Sequence, residues 1–412
     1  MSKKEKKQKK TNDWQTDVHL DIPEDEIWTY QVPGLAAPHI NKPYKYYTFK
    51  KIIFALVIIV AVSLSMYLSL RTVQNEVFDY TTNDNGTYEL KKFSNNSYIF
   101  ELDIDYVTTV EYNEEAVDGE NNMQLIKDET QKITSIRQYA LNCDDKVKVI
   151  NIGPEVEKID GKAFYSCWAL ERIEVDENNP YYCDVDGVLY NKDMTTVICH
   201  PTNHDAYLAE KYGYVQEDMD VNSENYDEAK YQQYKKDVLT YVVPSTVTTI
   251  GELCFNYANL VDVYVPEGLK SIETLGFFEM PALQNIYSYV AVQPVTDAHF
   301  TTVDTLGEIY LSLPEGLEYI GSDAFSYNQA MSYMYIPDTV TYIGHHAFWD
   351  TVYKEGSELR AVTVMNVAVD EDSFKNNVET GTCWRPQYDY MLFKKSIDIN
   401  YSAERAEIAT DL

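Results

Sequence analysis

The chain has no surplus of positive charge, few glycines and none of the short motifs that mark common catalytic sites, and each lack removes a class of function. Its 412 residues carry 34 Lys and Arg against 66 Asp and Glu, a formal charge of −32. Such a surface repels nucleic-acid phosphates, and no basic patch offsets it, which excludes nucleic acid as a partner. There is no Gly-x-Ser-x-Gly nucleophile elbow, no glycine-rich phosphate loop and no dinucleotide fingerprint. His200 and His204 stand four apart, but Pro201 intervenes and no glutamate follows in the order a zinc-binding helix requires. His345 and His346 are adjacent turn residues. Around Asp184 and Asp186, Tyr182 and Met194 fall where an EF-hand needs ligands. With no Cys-x-x-Cys unit either, no metal, cofactor or small-molecule substrate is expected.

Long apolar runs are equally scarce. Residues 52–70, IIFALVIIVAVSLSMYLSL, form the only strongly apolar stretch without charge. A helix of that length at ~1.5 Å per residue covers roughly 28 Å, about a bilayer's hydrocarbon thickness, so a single transmembrane helix is expected there. Residues 1–51 hold 10 Lys against 7 acidic residues and read as a disordered basic cytoplasmic tail, with Trp14 and Trp28 as its unusual members. Lys42, Lys45, Lys50 and Lys51 precede the run while Arg71 alone closely follows it. By the positive-inside rule this predicts a single-pass protein of the cell membrane, with the N-terminus cytoplasmic and residues 71–412 extracellular.

What the chain does have is one recurring phrase, clearest in YIPDTVTYIGHHAF at Tyr335 to Phe348. Each copy holds an alternating apolar strand, a proline, a short β-branched run and a closing Ile-Gly-x-x-Ala-Phe step. Leu141, Phe164, Phe255, Phe277, Phe300, Phe325, Phe348 and Phe374 serve as register marks, at intervals of 23, 91, 22, 23, 25, 23 and 26 residues. The long interval is close to four periods. A constant period in the low twenties marks a solenoid whose coils bury their apolar faces only against neighbours. Pro244, Pro266, Pro314 and Pro337 end the strands, and Gly251, Gly321 and Gly344 are expected to permit the bend before the aromatic.

These copies resemble the BspA-like leucine-rich repeat family, including its cysteine variant, AFYSC at Ala163 to Cys167, and its interrupting hairpin, VDENNPYYCDVDGVLYNKDMTTVICHP at Val175 to Pro201. Asp160, Arg137 and Glu273 depart from the pattern at the glycine position, and Cys254 and Gly276 at the alanine position. The fold expected is an α+β repeat solenoid of leucine-rich-repeat-like coils of ~23 residues, strands on one face, preceded by the transmembrane helix. Its organisation reads as stalk and N-terminal cap over residues 71–131, solenoid over 132–375 and C-terminal cap or tail over 376–412. Residues 175–201 form the hairpin and 202–237 an acidic surface insertion. The six cysteines suit small core fillers, although a Cys143–Cys167 or a Cys183–Cys199 bridge is geometrically open.

Alternation sends Tyr264, Tyr287, Tyr310, Tyr333 and Tyr335 outward from the strands, which predicts a tyrosine ribbon across neighbouring coils. Tyrosine is a rigid amphipathic contact residue suited to protein or glycan. The resemblance implies a non-enzymatic surface protein of interaction or adhesion. The expected function is therefore binding of a protein or glycan at the cell surface, with a structural envelope scaffold as the alternative.

Overall fold

The computed structural model describes residues 60, 78–93, 100–113, 124–141, 146–219, 223–292, 306–331, 333–355, 358–361, 364–388, 395–396 and 399–408. Contacts divide the chain into Met1–Tyr67 and Leu68–Leu412, and the second unit holds the fold. Apart from Val60, residues 52–70 and the basic tail lie outside the described residues. Among the described residues no helix is long and apolar enough to cross a membrane. The transmembrane helix expected from composition is corrected accordingly, and with it the single-pass placement of residues 71–412. A span needs an unbroken apolar helix of roughly 20 residues, and no described helix reaches that length.

Each coil contributes two strands, and the strands stack into separate sheets. The two-residue strands Thr249–Ile250, Ser271–Ile272, Tyr319–Ile320, Tyr342–Ile343 and Glu379–Thr380 pair in parallel, in register, beside Thr196–Cys199. The longer strands gather in threes. Glu101–Ile104, Val149–Ile152 and Arg172–Val175 form one parallel group. Thr240–Val242, Asp262–Pro266 and Asn285–Tyr289 form a second, and Tyr333–Ile336, Val364–Val367 and Ile399–Tyr401 a third. Coil geometry already begins inside the segment expected to be a cap, where Leu90 pairs with Ile136 and the Phe93 amide donates to the Ala140 carbonyl.

Inside the stack the closing aromatics form a ladder. Phe255 to Phe277, Phe277 to Phe325 and Phe325 to Phe348 have ring centroids 4.9, 5.3 and 5.1 Å apart and lie within 5° of parallel. His200 sits on the other side of Phe255 at 5.3 Å, so it occupies an aromatic position of the ladder. The 91-residue interval therefore does not hold four ordinary coils. It holds the three-stranded hairpin region Tyr182–Cys199, one rung at His200, and a helical excursion that leaves the array and returns.

Two register marks are corrected. Phe300 lies outside the described residues, and Ser271–Ile272 pairs directly with Tyr319–Ile320, which leaves no coil between them. The chain there instead turns back as Ile309–Tyr310, antiparallel to Asn285–Tyr289. Phe374 closes no coil. It lies on the helix Glu371–Asn377, while the Phe348 amide donates to the Trp384 carbonyl as the Phe325 amide does to Ala347. The last coil thus closes on Thr380 to Arg385, with Trp384 at the alanine position and Phe374 packed on its ring at 5.4 Å.

The role expected of the glycines also changes. Gly251, Gly321 and Gly344 are not left-handed. The bend is made two residues later, where Leu253, Leu275, Asp323, His346 and Cys383 all have φ between 54° and 60°. That conformation points the amides of Leu253, Leu275, Asp323 and His346 at the next coil, as in Asp323 N–H to the His345 carbonyl at 2.8 Å. Gly344 is needed because a Cβ there would overlap the backbone of Gly321 and Ser322 in the preceding coil.

The acidic insertion folds as helices His204–Tyr212, Gln216–Met219 and Glu228–Val238. Asp227 caps the last by accepting from the Ala229 and Lys230 amides, and Gly213, at φ 74°, ends the first. Leu208, Val238, Leu239 and Val261 form a small core of their own, so the insertion is a packed appendage. Cys183 and Cys199 flank opposite sides of the strand Val188–Asn191 and stay free thiols, and the Cys167 thiol donates to the Leu141 carbonyl. Cys143 lies outside the described residues.

Candidate functional site: the tyrosine-bearing strand face

The five outward tyrosines do not form one continuous exposed ribbon. Tyr264 and Tyr287 are in register on adjacent strands and stack at 4.7 Å. Tyr264 is nevertheless 6% exposed, covered by Val242, Tyr289, Leu306 and Ile309. Because the strand Ile309–Tyr310 runs antiparallel, Tyr310 pairs with Ser288 rather than extending the Tyr264–Tyr287 line. Tyr333 and Tyr335 belong to the third strand group; Tyr333 is half-buried and Tyr335 is 4% exposed. The turned-back chain that replaces the missing coil is the physical cause of the division.

Tyr310 and the C-terminal segment meet at Arg405. The guanidinium lies over the Tyr310 ring at 3.8 Å. Its Nη2 donates to Glu267 Oε1 and Ser288 Oγ, its Nε donates to Ser312 Oγ at 2.8 Å, and Glu315 lies 3.8 Å away. Ser288 and Ser312 are 0% and 2% exposed, with hydroxyls 3.1 Å apart. Burial pushes the Tyr287 phenol up to about 12, aided by Asp262. Burial and Glu315 push Tyr335 up to about 12 against the opposing charge of Arg405. These phenols stay neutral hydrogen-bonding groups at physiological pH. Arg405 escaped sequence reasoning because it lies in the non-repetitive tail, 93 residues from Ser312.

At the N-terminal end the same outward positions are acidic. Asn151 donates to Glu101 and Asp103 at 2.9 and 2.7 Å, and a cleft of about 380 Å³ is lined by Asp103, Asp105, Asn151, Glu174 and Asp176. Burial, then Asp176 and Glu155, raise the Asp105 carboxyl. A second aromatic set lies on the turn side. Trp168 packs on Tyr257 at 4.1 Å, and Phe278 meets Tyr257 and Tyr327 edge-on. Tyr257, Phe278 and Tyr327 lie one or two positions beyond their closing aromatics, and Trp168 lies four beyond Phe164. His204 is buried, its Nδ1 2.8 Å from the Glu171 carbonyl, and burial lowers it to about 4. Among the described residues no group of three or more His, Cys, Asp or Glu is placed to hold a metal ion.

Two strands per coil, an aromatic ladder and in-register stacking define a repeat protein of the leucine-rich class. Six copies of the BspA type leucine rich repeat region match residues 89–184 and 229–354, more than half of the chain, and the chain belongs to that family. A leucine-rich repeat protein from Eubacterium ventriosum is similar at 20% identity, with a TM-score of 0.35 over 58% of this chain and 49% of its own. The pneumococcal vaccine antigen PcpA is similar at 17% identity, with a TM-score of 0.38 over 66% of this chain and 60% of its own. A leucine rich cell surface protein from Faecalibacterium prausnitzii is 16% identical, with a TM-score of 0.27 over 80% of this chain and 94% of its own. The chain thus spans about half to three fifths of the first two. A search of curated proteins finds no significant match.

Proposed function

We propose that the chain is an interaction protein that binds a protein partner through the strand face carrying Tyr264, Tyr287, Tyr310, Tyr333 and Tyr335. The observation that carries this reading is a stack of rigid strands presenting half-exposed Tyr287, Tyr310 and Tyr333 around buried Tyr264 and Tyr335. Aromatic anchors on a preorganised scaffold lose little conformational freedom on binding. A protein partner is favoured over a glycan because the strand Ile309–Tyr310 already takes up a short length of polypeptide, Glu407–Ile408, along its outer side.

The test uses the full chain as bait on whole extracts of its native cells. Tyr287→Ser combined with Tyr333→Ser should weaken capture of the specific partner by at least about tenfold, the scale of losing one interface hot spot. Thermal unfolding should change little. Undiminished capture by a folded double variant would remove this face from the binding surface.

A further inference from the structure

The tyrosine face is already occupied in part, and the occupant shows what chemistry it accepts. The C-terminal segment crosses it as a thin strap. Glu407–Ile408 pairs antiparallel with Ile309–Tyr310, and the Leu311 amide donates to the Ala406 carbonyl. From Ser402 to Ala406 the residues alternate exposed and half-buried, so this length of the strap covers the face without joining the core. Its anchor is Arg405, whose side chain is 14% exposed.

The socket around Arg405 is a built guanidinium site. Buried Ser312 takes the Nε of one planar cation, buried Ser288 and the Glu267 carboxylate share its Nη2, and the Tyr310 ring takes its face. Glu267 is itself held, its Oε2 accepting from the Glu315 amide at 2.8 Å. A planar fork fits this set, whereas a lysine ammonium reaches fewer of the groups and stacks less well. Without its cation the socket would leave the largely buried Glu267 carboxylate without its charge partner, which is costly, so it favours refilling by like chemistry.

We propose that this socket is a recognition site for an arginine-bearing extended segment of another protein, and that Arg405 and its strap are an internal occupant which that segment displaces. This rests on the strand face being the binding surface and adds the partner's chemistry and a closed resting state. The incoming strand adds to the edge Ile309–Tyr310 as Glu407–Ile408 does now. A second copy of this chain is disfavoured as donor because each copy carries −32. The acidic surface draws a basic segment instead.

The test measures binding of a fluorescent peptide with the sequence of residues 399–412 to the full wild-type chain and to Arg405→Ala and Arg405→Lys. Wild type should bind weakly, because its own strap competes at an effective concentration on the order of millimolar. Arg405→Ala should bind at least about tenfold more tightly, a gap well within that competition. Citrulline in place of the peptide's arginine should cancel the gain, and lysine at its two glutamate positions should increase affinity. Equal binding by wild type and Arg405→Ala, or indifference to citrulline, overturns the proposal. Concentration-dependent dimers of the wild type that Arg405→Ala abolishes would assign the socket to a second copy and also overturn it. If Arg405→Ala fails to fold, Arg405→Lys gives the same reading, since it keeps the charge and loses the fork. Arginine-dependent peptide binding alongside partner capture indifferent to Tyr287 would sink the reading of the face and leave the socket standing. The reverse pattern would do the opposite.

Discussion

Phe277 and Phe325 stack with ring centroids 5.3 Å apart and planes 5° from parallel, although 48 residues separate them. Phe255 to Phe277 and Phe325 to Phe348 are separated by 22 and 23 residues, so about one coil's length of chain has been expelled to the strand face. There it supplies Leu306 and Ile309, which cover Tyr264, and the strand Ile309–Tyr310, which receives the C-terminal strap. The candidate site therefore exists because the repeat fails between Phe277 and Phe325.

Both rings are fully buried, so Phe277→Ala and Phe325→Ala should each destabilise the repeat domain by ~3–5 kcal/mol. Phe374→Ala, on a helix at the end of the stack, should cost less because its neighbours there can relax further. Urea unfolding of the three variants checks the order. Equal losses would mean that the ladder does not carry the core.

The glycine and left-handed positions make opposite demands. Gly344→Ala should destabilise by ~1–3 kcal/mol, because the added methyl meets the backbone of Gly321 and Ser322. His346→Gly should stay within about 1 kcal/mol of wild type. The relief of φ 55° in a residue with a Cβ offsets the greater chain entropy that glycine loses on folding. Denaturation midpoints of both variants decide, and the reverse ranking would return the bend to the glycines.

Buried His204 gives the domain a pH dependence. Its value is lowered from 6.5 to about 4 by burial, so between those values the unfolded chain binds the proton that the folded chain refuses. Stability from this group is fully present above pH 6.5 and falls as pH drops toward 4. The loss is on the order of 3 kcal/mol. His204→Gln should flatten the fall in unfolding free energy measured from pH 7 to pH 4. An unchanged slope would show that other groups carry it.

Much of the fold was legible because a solenoid is a local code. Period, strand alternation, prolines and closing aromatics are decided within one coil and its neighbour, which is why Phe255, Phe325 and Phe348 fall where the spacing puts them. Periodicity could not tell a coil from chain of the same length that leaves the stack, so Phe300 read as a rung and Trp384 was passed over. The left-handed bend was invisible because it uses Leu, Asp, His and Cys indifferently, the constraint being an amide aimed at the next coil.

The sequence by itself determined the repeat, its family, the acidic surface and the tyrosines' place on the strands, since these depend on composition and on spacings of 2 and about 23 residues. Only the tertiary structure decided which tyrosines stay open, that His200 serves as a rung, and that Arg405 meets Ser288 and Ser312. Those contacts join residues about 55 to 117 positions apart. No local pattern encodes them; they follow from which lengths of chain the stack accepts and which it sheds onto its surface.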